Sequence, residues 1–161
     1  MRVLELFAGS RSIGNVCDDL GYNVFSSDIN PFDNIDYVID INKFDVSVVP
    51  FIPDFIWASP PCTYFSVASI GKHWNKNNTP KSDNALKGVE YVKSTLKIIN
   101  YFKLLNPNLP REECFNGNKD CHHEAAPRGS RTGTQGLKGN YDRSKIPQQL
   151  CEDIVKANDR T

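Results

Sequence analysis

Cys62 follows two prolines at the end of a short apolar run, Phe55-Ile56-Trp57-Ala58. A thiol on a stiff, accessible turn is a nucleophile, whereas one packed in hydrocarbon is a small inert hydrophobe. Pro60 and Pro61 lack backbone donors and impose extended or turn geometry, so the strand stops at Ser59. Thr63, Tyr64 and Ser66 then keep the segment polar. These neighbours favour the nucleophile, at the carboxyl end of a strand where open α/β sheets hold ligands. A cysteine phosphatase is excluded, because it needs an arginine six positions on, where Ala68 stands.

A second ligand-type loop lies upstream. Val3-Leu4-Glu5-Leu6-Phe7 reads as a first strand and Ala8 to Gly14 as a tight turn into a helix. That helix carries Ile13, Val16, Cys17 and Leu20 at helical spacing and stops at Gly21. Val24 and Phe25 begin a second strand delivering Asp28, 19 residues after Gly9. Nucleotide-binding α/β units place an acid for ribose hydroxyls at that separation. Arg11 stands where a pyrophosphate loop would want glycine, so a ligand with ribose but no phosphates, such as S-adenosylmethionine, suits the loop better. Asp28 would take its ribose hydroxyls and Asp40, after a third strand Tyr37-Val38-Ile39, its adenine amine. Either acid also suits a turn or a helix cap.

The elements that position these residues follow from the pattern. Four parallel strands with right-handed crossovers order most simply as 3-2-1-4, setting the Gly9 loop beside the Cys62 turn. Residues 71–84 form a polar loop whose cations and Trp74 suit a phosphate backbone and a stacked base, or a plain surface loop. Ala85, Val89, Val92, Leu96, Ile99 and Phe102 give one apolar helical face from about Asn84 to Leu105. Beyond Pro107 the chain is rich in Gly, Asn, Arg and Pro; Cys114, Cys121, His122 and His123 have metal-type side chains but not zinc-type spacing, so no metal is expected. The tail reads as a helix begun by Pro147, in which Ile146, Leu150 and Ile154 repeat every four residues.

Composition sets the class. The chain has 161 residues, 39% of them hydrophobic, with no apolar run near ~18 residues, so no membrane span is expected. Five irregularly spaced cysteines and an early acid, Glu5, point to a reducing, cytoplasmic setting without a secretory signal. Net charge is zero but uneven. Residues 1–60 hold Arg2, Arg11 and Lys43 against nine acids, while residues 125–146 hold Arg128, Arg131, Lys138, Arg143 and Lys145 against Asp142. A small-molecule half and a polyanion-facing half would look like this, as would a solvated basic loop.

These residues resemble the DNA cytosine methyltransferases that act at carbon 5, particularly the small phage-borne kind. The likeness rests on Leu6-Phe-Ala-Gly-Ser-Arg-Ser-Ile-Gly14, Asp28, Asp40 and Ser59-Pro-Pro-Cys-Thr-Tyr-Phe-Ser66. Later matches are Ala126-Pro-Arg-Gly-Ser-Arg-Thr-Gly-Thr-Gln-Gly136, Gly139-Asn140 and Arg143-Ser-Lys-Ile-Pro147. Methyltransferases acting on exocyclic amines put an aromatic residue at the position of Cys62.

The resemblance implies a Rossmann-like α/β core over residues 1–105 and a loop-rich segment over 106–161 whose helix packs back on it. It implies S-adenosyl-L-methionine as cofactor, held by Phe7, Ala8, Gly9, Ser10, Arg11, Ser12, Asp28, Ile29, Asp40, Ile41, Ser59 and Pro61. DNA would be the substrate, in a bacterial or phage-infected cell. The Cys62 thiolate would add to carbon 6 of a flipped-out cytosine, carbon 5 would take the methyl group, and loss of the carbon 5 proton would expel the thiolate. A free thiol titrates near ~8.5, so attack needs backbone donors or cations nearby.

One departure matters. The family follows its long helix with a strand bearing Glu-Asn-Pro or Glu-Asn-Val and then a recognition region; here Leu105-Asn106-Pro107-Asn108 leads straight to the C-terminal segment, and Glu112 and Glu113 lie outside that motif. The chain reads as having lost an internal block near Asn106, leaving the fourth strand as an edge that a partner chain would complete. Losing the acid removes general acid help worth roughly 10²–10⁴-fold. The alternative function is therefore a non-catalytic remnant that binds cofactor or nucleic acid.

Overall fold

The computed structural model describes residues 1–65, 70–109 and 148–159. Its first strand, β1 (Arg2–Leu6), is buried on both faces, as the central strand of a parallel sheet must be. Val3 packs with one layer of helices and Leu4 and Leu6 with the other. β2 (Asn23–Asp28) and β4 (Phe55–Ala58) pair in parallel on either side of β1, and the two-residue β3 (Tyr37–Val38) pairs with β2. The order is β3-β2-β1-β4, the simplest winding expected from sequence. β4 ends this sheet among the described residues.

Helix α1 (Ser12–Asp19) closes with a glycine motif: Gly21, at φ 75°, donates to the Asp18 carbonyl, and the Tyr22 amide donates to Cys17. Ile13, Val16 and Cys17 pack on Val3 and Phe55 together with Cys151 and Val155 of the last helix, α4 (Gln148–Asn158). The other layer holds α3 (Asp83–Leu105), whose Ile98 and Phe102 meet Leu4 and Leu6 beside Ile41 and Val49 from the short turns after β3. A single-turn helix, α2 (Ile70–His73), precedes α3. At the far end of the sheet Arg2 grips Asp54 through its backbone amide (2.9 Å) and two guanidinium nitrogens (3.1 and 2.7 Å), tying β4 to β1.

Several sequence expectations need correction. Leu20 is exposed, because the helix ends a residue before it. In α3 the buried face is Ala85, Gly88, Thr95, Ile98, Ile99 and Phe102, while Leu96 is 45% exposed. The face rotates because Gly88 makes room for Phe65, and because Thr95 satisfies its hydroxyl on the Tyr91 carbonyl (2.8 Å) and so can be buried. In α4 Cys151 and Val155 are buried; Leu150 is half-exposed and Ile154 only flanks them. The basic stretch 125–146, Glu112, Glu113 and the Cys114 to His123 group lie outside the described residues.

The α4 correction is measurable. Val155→Ala should cost about 2 kcal/mol in urea denaturation, two methyl groups plus an unfilled void, whereas Leu150→Ala should cost under about 1 kcal/mol.

Candidate active site

The loop after β1 is built around a buried acid. Arg11 stands at the N-cap of α1 with left-handed backbone (φ 53°) and makes no side-chain cap. Glu5 supplies the cap from the strand beneath: its Oε1 accepts the Ile13 amide at 3.2 Å and its Oε2 the Ser26 hydroxyl at 3.1 Å. Glu5 is 2% exposed. A methyl group on Gly14 would stand 2.5 Å from Oε2, so glycine there makes room for the carboxylate. Burial pushes the Glu5 carboxyl above its ordinary range, against the pull of the Gly14 and Ile13 amides, Ser26 and Arg11.

Arg11 completes this network from the other side. Its Nε donates to Ser26 at 2.9 Å and its Nη1 to Asp18 at 2.9 Å. The guanidinium is thus buried beneath α1, and what Arg11 leaves to a ligand is backbone.

Above the network the loop is drawn to β2. Ala8 donates to the Ser27 carbonyl (3.0 Å), and the Gly9 amide donates to Asp28 Oδ2 (3.0 Å), with Gly9 at φ 52°. Asp28 Oδ1 accepts the Asn30 backbone and side-chain amides (2.9 and 3.3 Å). Phe7 is also left-handed, at φ 58°, a conformation costly for a bulky residue and common where a loop is shaped for a ligand. Its ring meets Tyr91 of α3 edge-on at 6.5 Å. Ser10 and Ser12 share a hydroxyl hydrogen bond (3.0 Å), and Ile29 is exposed beside Asp28.

On the other flank β4 runs out next to β1. Ser59 donates from its amide to the Leu6 carbonyl (3.3 Å) and from its hydroxyl to the Phe7 carbonyl (3.2 Å). Pro60 and Pro61 carry the chain on to Cys62, which is exposed. The ends of β2, β1 and β4 are therefore stitched in sequence: Asp28 to Gly9, and Phe7 to Ser59, three residues before the thiol.

Asp40 and Ile41 sit differently. Asp40 caps the turn Ile41–Lys43 through the Asn42 amide (2.9 Å), the bland role open to it, and Ile41 is buried in the core. Sequence reasoning passed over Glu5, Ser26, Lys87 and Tyr91. Glu5 was visible as a lone charge amid strand hydrophobes. Lys87 and Tyr91 form an i,i+4 pair at the start of α3, with the Lys87 ammonium 5.6 Å from the Tyr91 ring and attracted to Asp40.

Of the two roles open to the 71–84 loop, base stacking by Trp74 is limited by what already holds its ring, which lies 5.4 Å from that of Phe65. Trp74 is half-buried, and its indole N–H donates to the Tyr64 carbonyl at 2.7 Å. Among the described residues no group of three or more His, Cys, Asp or Glu is arranged for a metal, and no helix is long and apolar enough to cross a membrane.

The chain is similar to a probable DNA (cytosine-5)-methyltransferase. That protein, from Frog virus 3 (isolate Goorha), is 31% identical over 109 residues, which is 64% of this chain and 50% of the relative. The chain thus spans about half the length of that curated relative. No family model matches the chain, and no solved structure matches it.

Two expectations follow. Native protein treated with iodoacetamide should be modified at Cys62 well before Cys17 and Cys151; burial and the neighbouring Glu5 and Asp18 charges push Cys17 up to about 12, and peptide mapping reads the order. Glu5 sets a pH dependence. Because its folded value is raised, the unfolded chain ionises first as pH climbs through the carboxylate range. Stability is then lost with rising pH until folded Glu5 ionises too. Urea midpoints from about pH 4 to about pH 8 should show this falling component in the native protein and lack it in Glu5→Gln.

Proposed function

We propose that this chain is a DNA cytosine carbon-5 methyltransferase in which Cys62 is the nucleophile and S-adenosyl-L-methionine the methyl donor. The observation that carries the reading is the stitching of Asp28, Gly9, Phe7 and Ser59, which gives the ligand loop and the cysteine turn one mouth. The likeness to a probable DNA (cytosine-5)-methyltransferase supports the reaction class.

The residues fit that donor. Arg11 spends its charge inward on Asp18 and Ser26, so the loop offers no cation to phosphates. Asp28 Oδ2 accepts one protein donor and has a second lone pair for a ribose hydroxyl. Gly9 lacks the Cβ that would keep a ligand off the loop backbone. Ala8, Ser10, Ser12, Ser59 and Pro61 would line this mouth, with Ile29 as an apolar wall. When bound, the donor supplies an electrophilic methyl group.

The chain's own work is nucleophilic and positional. The Cys62 thiolate adds to carbon 6 of a cytosine turned out of the duplex, and the pair of electrons displaced to carbon 5 makes that carbon the methyl acceptor. Removal of the carbon 5 proton then re-forms the double bond and releases the thiolate. The prolines before Cys62 hold the sulfur's backbone stiff, limiting the entropy lost in reaching the ring.

The second reading is a non-catalytic chain that binds cofactor or nucleic acid, and the observation favouring it is the coverage of only half the viral relative. On that reading an internal block is missing after α3, and a partner chain pairing with the edge of β4 would supply strands and the ring-protonating acid. The proposed division at residue 105 into a core and a C-terminal segment accompanies both readings.

S-adenosylhomocysteine at ~100 times its dissociation constant should stabilise the protein by about 2.7 kcal/mol. DNA containing 5-fluorocytosine, given S-adenosylmethionine, should form a covalent adduct lost in Cys62→Ala. Stabilisation without an adduct selects the second reading; neither result would remove both.

A further inference from the structure

The residues after Cys62 are held by a clasp that the proposed chemistry leaves unexplained. The turn closes with the Phe65 amide donating to the Cys62 carbonyl at 2.9 Å. Trp74 then grips it twice. Its indole N–H donates to the Tyr64 carbonyl at 2.7 Å, and its ring lies against Phe65 with centroids 5.4 Å apart at 42°. His73, 7% exposed, meets the Tyr64 ring edge-on at 5.2 Å and shares a 2.7 Å hydrogen bond through Nδ1 with the Ser82 hydroxyl. Ser82 is the N-cap of α3, accepting the Ala85 amide at 3.2 Å. Phe65 and Tyr64 reach the helix itself where Gly88 has no side chain: a Cβ there would stand 3.1 Å from the Phe65 ring and 3.4 Å from Tyr64.

We infer that Trp74 is a positioning residue for the Cys62 sulfur, acting through the Tyr64 carbonyl and the Phe65 ring. Resting on the reading of Cys62 as nucleophile, this gives the turn two fixed ends. Pro60 and Pro61 stiffen the approach from β4, and Trp74 holds the exit, while its neighbour His73 ties to Ser82 at the start of α3 and Phe65 rests over Gly88. With only the prolines, the Cys62 carbonyl and the peptide after it would rotate and carry the sulfur with them. A reacting atom displaced by about 1 Å costs on the order of 10²-fold in rate. The part-buried hydrogen bond from the indole N–H to a carbonyl also explains why tryptophan, rather than another large apolar residue, occupies this place: phenylalanine would fill the space but leave the Tyr64 carbonyl without this donor.

The test is Trp74→Phe in the full chain, which keeps a ring and deletes the N–H. Two readouts go beyond folding: the rate of Cys62 alkylation by iodoacetamide as a function of pH, and the rate of adduct formation with 5-fluorocytosine DNA. Binding of S-adenosylhomocysteine serves as the control, because Trp74 touches none of the Gly9 loop. The inference expects adduct formation to slow by about 10- to 100-fold, the alkylation profile to change, and ligand affinity to stay within about twofold. Unchanged alkylation and adduct rates in a folded Trp74→Phe protein would overturn it. A parallel loss of ligand affinity would overturn it too, by showing general damage.

Should Trp74→Phe fail to fold, Gly88→Ala presses directly on the Phe65 ring that Trp74 holds and must change the same two rates; an unchanged pair overturns the inference equally. Failure of the underlying reading looks different. The unaltered protein would form no adduct, while the alkylation profile would still report whether Trp74 governs the thiol.

Discussion

A carboxylate buried in the middle of a parallel sheet is the constraint on which this molecule is built. Taken alone, Glu5 would cost several kcal/mol, because low-dielectric surroundings cannot replace its water. Here part of that cost is offset by position: it lies under the first turn of α1, where the orphan amides and the positive end of the helix dipole point. Ser26 from the next strand and Arg11 from the loop complete its shell. No buried side-chain polar atom is left without a partner among the described residues. Once the helix start is fixed on β1, the intervening residues have little freedom, and Phe7, Gly9 and Arg11 all take left-handed backbone to cover the distance.

That fixed loop is what gives the neighbouring strand ends a common purpose. Asp28 reaches it from β2 and Ser59 from β4, so three strands meet at one rim instead of ending separately. From the opposite face of the sheet α3 supports the same rim, through Tyr91 against Phe7 and through Gly88 against the segment after Cys62. The site therefore draws on both helical layers. Local electrostatics follows the same division of labour: Arg11 is consumed inside by Asp18 and Ser26, leaving Asp28 as the charged side chain bound to the rim.

The architecture was legible in the sequence where burial was simple. Phe55–Ala58 and the strand begun by Val24 and Phe25 read as strands because apolar residues sit between turn formers, and the order of the sheet follows from short right-handed crossovers. Helix faces were less legible, since periodicity counts hydrophobic residues and not the gaps they fill. Gly88 and Thr95 are inward in α3 for reasons of space and hydroxyl satisfaction that no hydrophobic pattern contains. The loop glycine and Asp28 were found by their spacing. Arg11 was found as a departure from glycine, yet its inward turn depends on an acid and a serine on two other strands. The role of Trp74 is not legible in its own loop, because the carbonyl that holds it lies ten residues earlier in the chain.

The central claim is that the Gly9 loop and the Cys62 turn form one site. Its most direct test is the rate of Cys62 alkylation by iodoacetamide in the native protein with and without saturating S-adenosylhomocysteine. The account predicts that bound ligand slows modification of Cys62 several-fold while leaving the buried Cys17 and Cys151 as they were. Ligand that binds, as judged by calorimetry, yet leaves the Cys62 rate unchanged would contradict it.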